Sequence, residues 1–122
     1  MAKEKYLVIY PNSTIRWVEI ERSDMLHDFY KVIGCDSLEN VRTIIPDMCL
    51  IVDECGKIKD PPQRVNEVAS FFYAGSNMGY DPIVGPAILA SIGLVDGEFD
   101  WIPLEDRQLE VLRLLGLPIP EA

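Results

Sequence analysis

Chemistry needs side chains that can accept a proton, hold an anion or stack on a ring, and apart from its carboxylates this chain offers few of the first kind. His27 is its one imidazole. It lies between Leu26 and Asp28 in an amphipathic stretch, where an exposed helix position accounts for it. Asp53-Glu54 and Asp96/Glu98/Asp100 are carboxylate groupings without recurring ligand spacing, as turns and solvated edge strands produce. Cys35, Cys49 and Cys55 are odd in number and contain no CxxC pair, and a single histidine excludes most His-based zinc sites. No GxSxG, HExxH, P-loop or GxGxxG stretch is present. The expectation is a protein with no catalytic residue, no metal and no cofactor, one that binds rather than transforms.

Binding features are richer. Phe71, Phe72 and Tyr73 stand in a row near the end of a helical pattern. Phe72 falls on the apolar stripe, whereas Phe71 is about 100° away, on the side of Arg64 and Glu67. A nucleobase stacked on Phe71, or a second subunit packed against it, would each cover that ring. Residues 74–85 follow at once and are rich in glycine, which lets backbone amides approach an anion. In that loop Asn77 and Asp81 could read hydroxyls or an amine edge, although a plain connection would look the same. Arg107 and Arg113 lie on the last helical stretch. Arg113 can be explained by Glu110 and the negative helix end, but Arg107 sits where the helix dipole disfavours a cation, which suggests an anionic partner. The two are about 120° apart around the helix, so each would serve a different part of the ligand or a different subunit's pocket. Lys57, Lys59 and Arg64 make the other basic cluster.

The elements that must position these groups can be read from periodicity. Residues 6–10 and 14–20 form a hairpin across Pro11-Asn12-Ser13, apolar on both faces. Ser23 and Asp24 start a helix whose stripe is Leu26, Phe29, Tyr30 and Ile33, closed by Gly34. Residues 38–45 and 48–53 form a second hairpin across Pro46-Asp47. Asp60-Pro61-Pro62-Gln63 opens the next helix with a capping-box pattern, and Val65, Val68, Ala69 and Phe72 face inward until Gly75. Residues 87–92 and 99–102 are strands joined through the Asp96-Gly97 turn. Pro103 opens a last helix with Leu104, Val111, Leu112 and Leu115 inward and Gly116 at its end. Residues 116–122 read as a loose tail. The order ββαββαββα predicts an α+β fold: an antiparallel sheet of five to six strands with three helices packed on it. Because the first hairpin is apolar on both faces, we expect a second cover, and hence at least a dimer.

Composition sets the frame. The 122 residues suit one domain, here residues 1–122, and 48% hydrophobic with 25% charged residues is ordinary for a globular chain. The net charge of −9 excludes a general duplex nucleic-acid binder. Three unpaired thiols and no apolar segment of signal or spanning length point to a reducing cytosol and no membrane.

The stretches YLVIYPNSTIRWVEIE, LIVDECGKIK, RVNEVASFFYAG and DPIVGPAIL, in that order, resemble the phage Thoeris anti-defence protein 1 family. The similarity runs over residues 5–115, and it extends to a wider group of phage and prophage proteins with a DECGK-like turn and an NEVAS-like helix. It implies a phage protein in the cytoplasm of the infected bacterial host. Such proteins sequester, without cleaving, a cyclic ADP-ribose isomer made by a TIR-domain protein and so block Thoeris immunity. It further implies homo-oligomers with pockets beside the subunit interface, and in some members a separate site for cyclic oligonucleotides. The resemblance thus gives Phe71, Asn77, Asp81, Arg107 and Arg113 a ligand of adenine, riboses and pyrophosphate. The alternatives are an enzyme that cleaves a nucleotide second messenger and a protein-binding inhibitor of a host factor.

Overall fold

The computed structural model describes residues 3–59, 61, 63–73 and 81–122. Its longest strand is β5 (Ala87–Val95), which serves as the spine of an entirely antiparallel six-stranded sheet. β1 (Lys3–Ile9) and β4 (Met48–Asp53) flank the first half of β5, β2 (Ile15–Glu21) extends the sheet beyond β1, and β3 (Leu38–Arg42) extends it beyond β4. β6 (Glu98–Ile102) pairs with the second half of β5 alone. Three helices complete an α+β fold: α1 (Met25–Ile33), α2 (Glu67–Phe72) and α3 (Asp106–Leu114).

β1 is apolar on both faces because it is buried on both. Tyr6 and Val8 join Phe29 and Ile33 of α1 in one core layer, while Leu7 and Ile9 join Phe72 of α2 and Leu112 of α3 in the other. All four of these β1 residues are fully buried, and burying each large apolar side chain stabilises by about 1.5–3 kcal/mol. The cover that the sequence seemed to require from another subunit is therefore supplied within the chain. The case for a dimer cannot rest on this hairpin.

The helices start and face differently from their sequence patterns. α1 is preceded by a 3-10 turn, Arg22–Asp24, and buries Met25, Phe29 and Ile33, so Leu26 is turned out with 53% of its surface exposed. Gly34 closes it in the left-handed conformation expected of it (φ 78°). α2 does not begin in the Asp60-Pro61-Pro62 stretch, of which Asp60 and Pro62 lie outside the described residues. Residues 63–66 instead run extended beside residues 83–85. Asn66 N–H donates to Ile83 O (2.8 Å), Gly85 N–H to Arg64 O (2.8 Å), and Val65 bridges Val84. Gln63 donates to Asp53 (2.9 Å) rather than closing a capping box. The cap is Asn66, whose Oδ1 accepts from Ala69 N–H at 3.1 Å, and the helix stops at Phe72. α3 begins at Asp106, with Glu105 and Gln108 forming the capping box, and buries Gln108 and Leu112. Leu104 is half-buried against the core, but Val111 and Leu115 are exposed. Part of the 116–122 tail docks on the domain. Leu117 is buried, Ile119 packs on the core, and Trp17 Nε1 donates to Pro120 O at 2.7 Å.

Where β1 and β6 part company along β5, Arg22 fills the gap. Its guanidinium makes a bidentate contact with Glu4 (2.8 and 2.9 Å) and donates to Trp101 O (2.5 Å) and to Asp100 (3.2 Å). Tyr6 OH donates to the same Glu4 carboxylate at 2.8 Å. Burial and the Glu4 carboxylate push the Tyr6 phenol far above its usual range. Burial works against ionisation of Glu4, yet the hydrogen bonds from Arg22 and Tyr6 and the Arg22 charge hold its carboxyl below the ordinary value. A carboxyl lowered by folding stabilises above its unfolded pKa, and that contribution is lost as pH falls through the folded value. Arg22→Met should therefore flatten the fall in stability between about pH 6 and pH 3, read from urea midpoints. An acid limb as steep as that of the parent would show that the network carries no linkage.

Candidate functional site

The first hairpin turn shapes the cleft best suited to an anion. Tyr10 and Pro11 leave β1, and the chain reverses through Asn12 and Ser13. Ser13 N–H donates to Tyr10 O (2.9 Å) and Thr14 N–H to Asn12 Oδ1 (3.0 Å), with Ser13 at φ 69°. The turn then feeds Arg16 on β2. Arg64 arrives from the extended segment before α2, anchored by its carbonyl to Gly85. Together Tyr10, Pro11, Asn12, Thr14, Arg16 and Arg64 line a cleft of about 480 Å³.

Arg16 and Arg64 are exposed, and neither forms an ion pair with any described residue. Four other cations on this acidic chain are satisfied internally. Arg22 is held by Glu4 and Asp100, Lys57 by Asp81, Lys59 by the buried carboxylate of Asp53, and Arg107 by Glu105 and Asp47. Two free guanidiniums beside a half-buried tyrosine ring make a place where a phosphate can be held in bidentate contact and a planar group can stack.

The residues marked out by sequence are dispersed. Phe71 is 60% exposed, edge-on to Phe72 (centroids 5.1 Å apart, 90° between planes). It borders an apolar groove of about 320 Å³ with Ile15, Val68, Leu115 and Leu117, and that groove has no cation in its wall. Ile15 and Arg16 point to opposite faces of β2, so the Phe71 groove and the arginine cleft lie on opposite sides of the sheet. Asp81 is consumed by Lys57 at the mouth of a cavity of about 60 Å³. The Arg107 guanidinium is neutralised by Glu105 (2.9 Å) and Asp47 (3.3 Å), so the positive charge at the first turn of α3 has an internal explanation. Arg113 is exposed and borders none of these cavities, and its expected partner Glu110 makes no ion pair with it. Asn77 lies outside the described residues. The basic cluster divides: Lys57 and Lys59 are paired, and Arg64 alone turns to the cleft. Tyr10 and Arg16 were not marked out by sequence. They flank a turn that was legible, but the pairing of Arg16 with Arg64 is long-range.

A second cleft of about 480 Å³, over the start of α1, gathers Arg22, Ser23, Asp24, His27, Asp100 and Trp101. Among the described residues His27 makes no hydrogen bond to Ser23 or Asp24. Burial pushes the Cys49 thiol up to about 12 and raises that of Cys35, so neither of these two is an activated thiolate. No group of three His, Cys, Asp or Glu side chains that could hold a metal ion occurs among the described residues. Among them, too, no helix is long and apolar enough to cross a membrane.

A family model described as "Domain of unknown function (DUF3846)" matches residues 4–115. The chain belongs to the DUF3846 family. Nothing among curated proteins or solved structures matches it significantly. The DUF3846 span takes in all three helices and every residue of the arginine cleft, whereas Leu117 and the docked tail fall outside it.

Proposed function

We propose that this protein binds and holds a small phosphate-bearing nucleotide without transforming it, at the cleft of Tyr10, Arg16 and Arg64. One observation carries the reading: both arginines on this cleft lack a carboxylate partner among the described residues, in a chain with nine more acids than bases. An acidic protein repels anions at long range, so two guanidiniums converging on one cleft beside an aromatic ring are the local positive patch that an anionic ligand needs. The cleft volume falls in the range of about 300–1,000 Å³ usual for small-molecule sites. The resemblance to the Thoeris anti-defence family names the ligand as a cyclic ADP-ribose isomer, sequestered in the infected host's cytoplasm so that Thoeris immunity is not triggered. The cleft is open to solvent. A ligand site usually buries about 70–90% of its occupant, so a second copy of the chain closing over it fits the multimeric arrangement the same resemblance implies.

Calorimetry with a cyclic ADP-ribose isomer should give saturable binding, and heating the complex should release the ligand with unchanged mass. Arg16→Ala and Arg64→Ala should each weaken binding about tenfold or more, as expected for losing a charge-assisted hydrogen bond. A hydrolysed product would overturn the sequestration reading. Unchanged affinity in both variants, with a loss in Phe71→Ala, would move the site to the apolar groove.

A further inference from the structure

β5 outruns its neighbours. Its ladder with β1 ends at Leu89 and its ladder with β4 at Ser91, so beyond Ile92 it pairs with β6 alone. The resulting two-stranded arm turns at Asp96-Gly97, both at positive φ (52° and 82°), as a tight two-residue hairpin requires. On one face the directly opposed pairs Ile92/Trp101 and Leu94/Phe99 form a continuous apolar ladder. Its inner end is anchored, with Trp101 on Phe29 (5.7 Å between centroids) and Trp101 Nε1 donating to Asn40 Oδ1 at 2.8 Å. Its outer end is bare: Leu94 is 67% and Phe99 79% exposed. The other face of β6 carries Glu98 and Asp100, so the strand alternates acid and aromatic.

β6 is also an edge. The main-chain groups of Trp101 point away from β5, where Arg22 takes the carbonyl and the Asp100 side chain takes the N–H (2.7 Å). Strand alternation turns the N–H and C=O of Phe99 the same way, and among the described residues nothing bonds to them. Edge strands are normally blunted by charged side chains, proline, a bulge or a covering group. Arg22 and Asp100 cover the Trp101 end of this one, and the stretch around Phe99 carries no lysine, proline or bulge, its one neighbouring charge on the strand without an ion pair being Glu98.

We propose that β6 is a docking edge for an extended polypeptide segment that alternates apolar and basic residues and adds a strand beside it. The pattern of β6 specifies that partner. Its apolar residues would continue the Leu94/Phe99/Trp101 ladder, and a lysine or arginine would oppose Glu98 on the other face, Asp100 being already paired with Arg22. A second copy pairing through the same edge would bring the two Glu98 carboxylates together, which selects a basic partner over self-association. The inference is independent of the nucleotide reading, because no residue of the arginine cleft takes part.

The test uses the isotopically labelled full chain with a short peptide alternating lysine and valine. Two control peptides have glutamate in place of lysine, or the same residues in two blocks. The alternating peptide should slow hydrogen exchange of the Phe99 amide and bind more weakly as salt rises. Phe99→Ser should weaken it by more than about tenfold, and Glu98→Lys, which keeps the apolar ladder and so guards against a merely misfolded arm, should do likewise. Equal binding of either control peptide, or protection appearing at another strand edge, would overturn the proposal. So would sedimentation showing a dimer that Phe99→Ser abolishes, since a second copy would then be the occupant.

Discussion

Asn66→Ala should lower the thermal midpoint by on the order of 10–20 °C, the largest single-residue effect we expect. Asn66 is fully buried and joins three parts of the molecule. Its Nδ2 donates to Ile9 O at the end of β1 (2.8 Å) and to Gly85 O just before β5 (2.9 Å), while its Oδ1 caps α2 at Ala69 N–H. Alanine removes a helix cap worth about 1 kcal/mol and strands two buried carbonyls at about 1–3 kcal/mol each, for a total on the order of 3–7 kcal/mol. Asn66→Asp separates these parts. Aspartate caps helices as well as asparagine does, but here its second oxygen would face two carbonyls. It should melt no later than the alanine variant, followed by circular dichroism. If Asn66→Asp were near the parent in stability, the cap alone would matter and the tie to β1 and β5 would be dispensable.

Phe72→Ala should cost about 3–5 kcal/mol, as truncation of a core aromatic does, whereas Phe71→Ala should cost no more than about 1.5 kcal/mol. The two rings are adjacent in sequence but differ in burial, 3% exposed against 60%. Phe72 packs with Leu7, Leu50 and Leu112 in the core layer beneath α2 and α3. Phe71 loses only its edge-on contact with Phe72, an interaction of about 0.5–1.5 kcal/mol. Guanidinium melts of both variants would decide. Equal destabilisation would mean that the groove beside Phe71 is filled in solution, and its ring would then be structural rather than available to a ligand.

Much of this contrast could be read without coordinates. The apolar period over residues 65–72 separates Phe72 from Phe71 even though the helix itself starts later than the pattern suggests. The error at its start has a clear cause. Asp60-Pro61-Pro62-Gln63 has local features that suit a helix start, but Gln63 through Asn66 find better partners outside it, in Gly56, Asp53 and residues 83–85. Ser23 does not cap α1, because it lies within the 3-10 turn that precedes the helix, and Val111 and Leu115 on α3 are exposed. The pattern on α3 failed because Gln108, a polar residue, occupies the buried face, with its Oε1 accepting from Glu105 N–H and its Nε2 donating to Pro46 O. Hydropathy alone could not show this.

What the sequence determined by itself is what local sterics and side-chain period dictate. Gly34 ends α1 and Asp96-Gly97 turns the arm because few residues tolerate positive φ, and a two-residue turn admits only one register. The strands follow from apolar runs, and the fold class follows from their order. The tertiary structure alone decided which charges are free. Arg107 meets Asp47 and Lys57 meets Asp81 across the fold, Lys59 reaches back to Asp53, and only the folded contacts show those cations to be spent. Arg16 and Arg64 come to one cleft because the segment before α2 lies against residues 83–85, a pairing that no local pattern encodes. An ion pair depends on distance in space, and distance in space is set by the order β2-β1-β5-β4-β3 rather than by neighbours along the chain.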